Sequence, residues 1–185
     1  MSRLPPFDPA QLDADQRAVY DRMVSGTRGG VAGPFLPLLT SAELCGRVEQ
    51  LGLFLRFQCG VPMRLRELAI CVVGTHWKAA FEVYVHAPIA RQQGVPDAVI
   101  AAVTGGGALP AGTDAADHTV VDYAREVLRT GNASDATYAA ARALLGDKGV
   151  VELTALLGYY GLLALQLNVF QVTPPDSKDI PWLRG

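Results

Sequence analysis

The sequence predicts an all-α protein, and three observations carry that expectation. Apolar residues recur at three- and four-residue intervals through most of the chain. Residue types suited to helix starts and stops stand at the ends of those stretches. No segment alternates apolar and polar positions between turn dipeptides, so a sheet has no support.

The first helix is expected in DADQRAVYDRMVSG, opened by Asp13 or Asp15 as a cap and ended at Gly26. SAELCGRVEQLGLFLRFQ follows, with Ser41 as N-cap and Leu44, Val48, Leu51 and Leu55 forming one apolar stripe. RLRELAICVVGTHWK and AAFEVYVHAPIARQQ come next, the second closing at Gly94, a suitable C′ residue. Gly74 and the Trp77-Lys78 pair mark a break between these two, while an unbroken helix would align Lys78, Glu82 and His86. Pro88 has no amide hydrogen for the Tyr84 carbonyl, so the helix is expected to kink or restart just after His86. Further helices are expected in VPDAVIAAV, from about Thr113 to Thr130 before Gly131, and after a cap at Ser134 or Asp135. A last helix runs from about Asp147 to Gln171. The stretches beginning at Glu67-Leu68 and Glu152-Leu153 echo each other weakly, as a duplicated hairpin would.

Two glycine-rich stretches, 25–37 and 104–114, interrupt the helices. The first lacks the lysine and serine of a phosphate loop and has no strand before it, so both read as connections. The expected organisation is an N-terminal helix and Gly-rich loop (1–32), one helical domain (33–172) and a Pro-rich tail running extended (173–185).

At 185 residues and 50% hydrophobic, the chain is long enough for one substantial core. A net charge of −2, without charge blocks, gives no basic face for nucleic acid. The apolar run Leu153–Phe170 contains Gln166 and Asn168 and lacks a basic flank, so a core or subunit-interface helix is preferred to a membrane span. The N-terminus has no apolar signal core, and a soluble cytoplasmic protein is expected. Cys45, Cys59 and Cys71 are odd in number, include no CxxC and have apolar flanks, which predicts buried, reduced thiols.

The chemistry-bearing residues lie between 62 and 94. A helix puts Glu82 and His86, four apart, on one face, and a tight bend would bring Glu67 to meet them. Histidine titrates near neutrality, and a neighbouring carboxylate raises its pKa and fixes its tautomer. The spacing of His76, Glu82 and His86 is not HExxH, so no metal is expected. No GxSxG is present, and no cysteine stands at a helix N-terminus beside a histidine. General acid–base work by carboxylates and imidazole remains, in a pocket walled by the Phe35 region, Phe57, Tyr159 and Tyr160. Arg28, Arg56 and Lys78 are the candidate cations for an acidic substrate. The competing reading is a structural Glu/His pair.

PMRLRELAI, the Glu-x-x-x-His element and HAPIARQQGV resemble the carboxymuconolactone decarboxylase family, which includes the alkylhydroperoxidase-D-like proteins. The similarity extends from Gly29 through the last helix and is most specific from Pro62 to Gly94. The resemblance implies an all-helical fold assembling as trimers or hexamers, with active sites near subunit contacts; no cofactor is expected. The family's peroxidase branch uses a CxxC pair, a glutamate and a histidine. Carried over, the glutamate falls on Glu67, the histidine on His86, and the cysteines on Ala79 and Glu82, so the thiol pair is missing. The decarboxylase branch implies Glu67, Glu82 and His86 as acid–base residues acting on a small carboxylated lactone or keto acid through an enolate. The alternatives are a non-catalytic oligomeric binder of a small apolar acid and a thiol-independent relative of the alkylhydroperoxidases. A mean hydropathy of +0.20 with a nearly uncharged final helix independently predicts a homo-oligomer.

Overall fold

A computed structural model of the chain describes residues 2–27 and 29–175, and every regular element among them is helical. After a single 3-10 turn, Pro9–Gln11, come α1 (Ala14–Ser25), α2 (Phe35–Leu38), α3 (Ala42–Phe57) and α4 (Met63–His76). They are followed by α5 (Ala80–Gln92), α6 (Asp97–Thr104), α7 (Ala115–Thr130) and α8 (Asp135–Val169). The ends obey local rules: Asp13 makes a reciprocal capping box with Gln16, Ser134 accepts from the Thr137 amide, and Gly131 ends α7 in the left-handed conformation.

Helix α4 is the axis of the fold. Every residue from Leu65 to Gly74 is buried, and α5, α6, α7 and α8 pack around it. A helix with no polar face is stable only when enclosed on all sides, which explains why RLRELAICVVG shows no clean amphipathic stripe. Arg64 tethers α4 to α7 through a bidentate pair with the fully buried Asp117. Helices α1 and α2 lean on α3, and α2 and α3 also reach α8.

Four expectations need correction. The buried face of α3 is Cys45, Val48, Glu49, Gly52 and Leu55, whereas Leu44 and Leu51 are nearly half exposed. Apolar residues on both sides of this helix made its inner face ambiguous by periodicity. Pro88 neither ends nor restarts α5, which runs unbroken to Gln92. Tyr84 and Pro88 lie on the exposed side, so the carbonyl that loses its amide partner can be hydrated instead. The segments after Ser134 and Asp147 form one continuous helical element, broken only in its dihedrals at Gly146 (φ 68°, ψ 174°). Finally, the stretch from Glu152 stays a single helix where the stretch from Glu67 folds into two, so the echo is not a duplicated hairpin.

The apolar run at the end of α8 is a core helix: Leu153, Leu156, Leu157, Tyr160, Leu163 and Leu167 are all buried. Its C-terminal carbonyls are satisfied from the other end of the chain. The Arg3 amide donates to the Phe170 carbonyl at 3.0 Å, and the Arg3 guanidinium donates to that of Val169 at 3.0 Å. The tail from 176 onward lies outside the described residues.

Candidate functional site

The bend between α4 and α5 builds the site. α4 ends at Trp77, and Lys78 takes a left-handed conformation (φ 52°). The turn is held by Ala79 N–H to the Gly74 carbonyl at 2.8 Å and by the Asn168 side chain donating to the Trp77 carbonyl at 2.6 Å. α5 then runs back along α4. Their approach is close because Gly74 has no side chain: a Cβ there would stand 3.0 Å from Val83 and 3.1 Å from the Cβ of Glu82.

This antiparallel packing brings Glu67, Glu82 and His86 into one cluster. His86 Nδ1 lies 2.6 Å from Glu67 Oε2, and its Nε2 lies 3.4 Å from Glu82 Oε2. All three residues are 3% exposed. Burial by itself would lower the histidine pKa, but the hydrogen bonds and charges of the two glutamates outweigh it and raise the value above the ordinary 6.5. With the imidazole protonated, both ring N–H groups donate to a carboxylate, a tight bond on the Glu67 side and a loose one on the Glu82 side.

Glu82 and His86 open onto a cavity of about 310 Å³, while Glu67 stands behind them. Phe35, Phe81, Tyr160 and Leu163 supply apolar walls, Gly29, Gly30 and Ala32 a glycine-rich rim, and Arg56 a cation. The Tyr160 ring meets the His86 ring edge-on at 5.1 Å, fixing the imidazole plane, and Tyr159 packs edge-on against Tyr160 at 5.3 Å. Burial pushes the Tyr160 hydroxyl well above its ordinary pKa, with Arg56 opposing that shift. Gly33 seats the rim: its φ is +58°, and a Cβ there would lie 2.4 Å from the Phe81 ring.

Of the residues expected to contact substrate, Phe35 and Tyr159 line this cavity. Phe57 does not. One residue along the last turn of α3 from Arg56, it points outward at 40% exposure, with the Arg56 guanidinium 5.1 Å over its ring. Lys78 is exposed in the turn and away from the cavity, because the chain breaks before it and no Lys78–Glu82–His86 stripe forms. Arg28 lies outside the described residues. Phe81, Val85 and Leu163 complete the walls without having been singled out from sequence, where nothing separates them from ordinary core positions.

All three cysteines are buried and reduced, and none lines the cavity. Cys71 lies near the cluster, but burial, reinforced by the charges of Glu67 and Glu82, drives its thiol far above its ordinary pKa and opposes thiolate formation. Among the described residues no group of three His, Cys, Asp or Glu side chains is arranged around a common metal position.

Comparison with protein-family models gives no match, and neither does comparison with curated proteins. Solved structures do match. An uncharacterized peroxidase-related protein from Ralstonia eutropha, described as an alkylhydroperoxidase AhpD core, superposes with a TM-score of 0.74 at 20% identity. The match covers 95% of this chain and 93% of that one. An uncharacterized peroxidase-related protein from a Silicibacter species gives 0.73 at 15% identity, covering 93% and 90%. This chain therefore has the alkylhydroperoxidase-D-core fold over nearly its whole length.

Proposed function

We propose that the protein is an acid–base enzyme acting on a small carboxylated lactone or keto acid, by decarboxylation or proton transfer through an enolate. One observation carries this reading: a buried imidazole gripped by two carboxylates forms one wall of an otherwise largely apolar cavity. Such a cluster supplies what enolate chemistry needs. His86 stores and returns a proton, Glu67 fixes its Nδ1 tautomer and orientation, and Glu82 links Nε2 to the cavity. Arg56 would meet a substrate carboxylate, and the low-polarity walls would strengthen every charge interaction with the developing enolate oxygen.

The peroxidase-related names of the two structural neighbours suggest thiol chemistry, which this chain is poorly equipped to perform. Ala79 and Glu82 occupy the positions where the resembled thiol pair would stand, and the remaining cysteines are sealed. A thiol peroxidase needs an accessible thiolate.

The test is a panel of carboxylated lactones and β-keto acids followed by CO₂ release and loss of ultraviolet absorbance. His86→Gln is preferable to alanine because alanine would leave two buried carboxylates facing each other without a donor. Turnover should fall at least about 100-fold in His86→Gln, and it should survive simultaneous alanine replacement of Cys45, Cys59 and Cys71. Robust dithiol-dependent hydroperoxide reduction that disappears in the triple variant would overturn the reading.

A further inference from the structure

The cluster carries an imbalance that its acid–base role leaves unexplained. One imidazole serves two carboxylates, and Glu67 holds the short bond. Glu82 is equally buried, its Oε2 is only loosely engaged, and its Oε1 has no hydrogen-bond partner among the described residues. A buried carboxylate oxygen without a donor is costly unless something arrives to satisfy it. Glu82 lines the cavity, so the missing donor can come from the cavity side.

We infer that the cavity binds a small organic carboxylate together with one proton taken from solvent, the anion docking on Arg56 and sharing that proton with Glu82 Oε1. The inference deepens the proposed function and rests on its placing the ligand in this cavity. Arg56 is the only permanent cation among the described residues that line it, so an entering carboxylate takes that guanidinium and comes to face Glu82. Glu67 and Glu82 already share one imidazolium, so a third carboxylate brought against Glu82 in this poorly solvated site adds a negative charge that the cluster accommodates by taking up a proton. Protonated Glu82 then becomes a donor, and its O–H to the ligand carboxylate is a charge-assisted hydrogen bond.

The remaining groups around Glu82 do not supply that hydrogen. Glu67 on α4 is occupied by His86 Nδ1, and His86 on α5 directs Nε2 at Glu82 Oε2 rather than at Oε1. Cys71 on α4 lines no part of the cavity. Tyr160 on α8 stays neutral and presents its ring to His86, with Tyr159 packed edge-on behind it. The walls of Phe35, Phe81 and Leu163 favour a flat apolar body behind the carboxylate. At about 310 Å³ the cavity is at the small end of ligand pockets.

Benzoate is a suitable probe, with benzamide as its uncharged counterpart. Isothermal titration calorimetry of the full chain near pH 7, in two buffers of different ionisation enthalpy, reads the protons taken up on binding. About one proton per benzoate is expected, with Kd rising up to roughly tenfold per pH unit above neutrality and benzamide taking up none. Glu82→Gln should bind benzoate without proton uptake and with a flat pH profile, and Arg56→Met should lose affinity by at least about tenfold. Buffer-independent heats in the wild type, uptake unchanged in Glu82→Gln, or no benzoate binding at any pH would each overturn the inference. Proton-coupled binding without turnover on any lactone or keto acid would sink the enzymatic reading alone. Turnover with pH-independent binding would sink the coupling alone.

Discussion

His86 is where the residue scale is most informative, because its two ring nitrogens do different jobs. Nδ1 is anchored to Glu67, and Nε2 faces the cavity side through Glu82. Its pKa in the fold lies above the ordinary 6.5, so the protonated form is the one the fold prefers. The sign follows: this contribution to stability is complete below about pH 6.5 and is lost as pH rises through the raised value. Thermal melts from pH 6 upward should therefore show a falling Tm that His86→Gln largely flattens. Glu82 and His86 were legible in the sequence because four-residue spacing on a helix is a geometric statement. Arg56 was less legible, since Arg28 and Lys78 had equal claims until the fold put Lys78 in an exposed turn and Arg56 at the cavity.

At the scale of elements, the site depends on how closely two helices approach. Gly74 is the contact point, and a methyl group there meets Val83 and Glu82 Cβ at 3.0–3.1 Å. Gly74→Ala must push α5 outward by a few tenths of an ångström or more, lengthening the Glu67–His86 hydrogen bond that crosses from α4 to α5. About 1–3 kcal/mol of destabilisation is expected from overpacking, read by chemical denaturation, with a disproportionate loss of whatever activity or binding the cavity supports. The bend itself follows from Gly74 and Trp77-Lys78, α1 from its Asp cap and Gly26 stop, and the end of α7 from Gly131. Two features were not readable in the chain. The inner face of α3 was hidden because Leu44, Leu51 and Phe54 make its outer face apolar too. The continuation of α5 through Pro88 depends on which side of the helix meets water, and periodicity does not report that.

For the whole molecule, the apolar residues left outside are the clearest signal. On α8, Val151, Leu162, Leu165 and Val169 fall on one stripe and are 38–69% exposed, with Gly158 lying open between them. Spacings of 11, 3 and 4 residues keep such side chains on one side of a helix. Soluble monomers seldom display a stripe of this kind, so a homo-oligomer is expected, with a trimer or hexamer as the sizes the family resemblance suggests. Light scattering after gel filtration should give a multiple of the 19.7 kDa chain mass. A Leu165→Glu change on the stripe should shift that mass downward. A monomeric mass for the unmodified chain at micromolar concentration would refute the expectation. The same apolarity explains why periodicity left the inner face of α3 ambiguous: a helix apolar on two sides presents no single stripe.

The tie between Arg3 and the end of α8 also sets an order of events. Synthesis runs from the amino end, so Arg3 leaves the ribosome 166 residues before Val169. Until then the segment around Arg3 lacks its final partners, and the last carbonyls of α8 lack theirs. This contact joins the segment before α1 to the end of α8, and it cannot form while the chain is still growing through α8. Helices α1 to α7 are all made before that moment, and the buckle fastens only once Val169 and Phe170 have emerged.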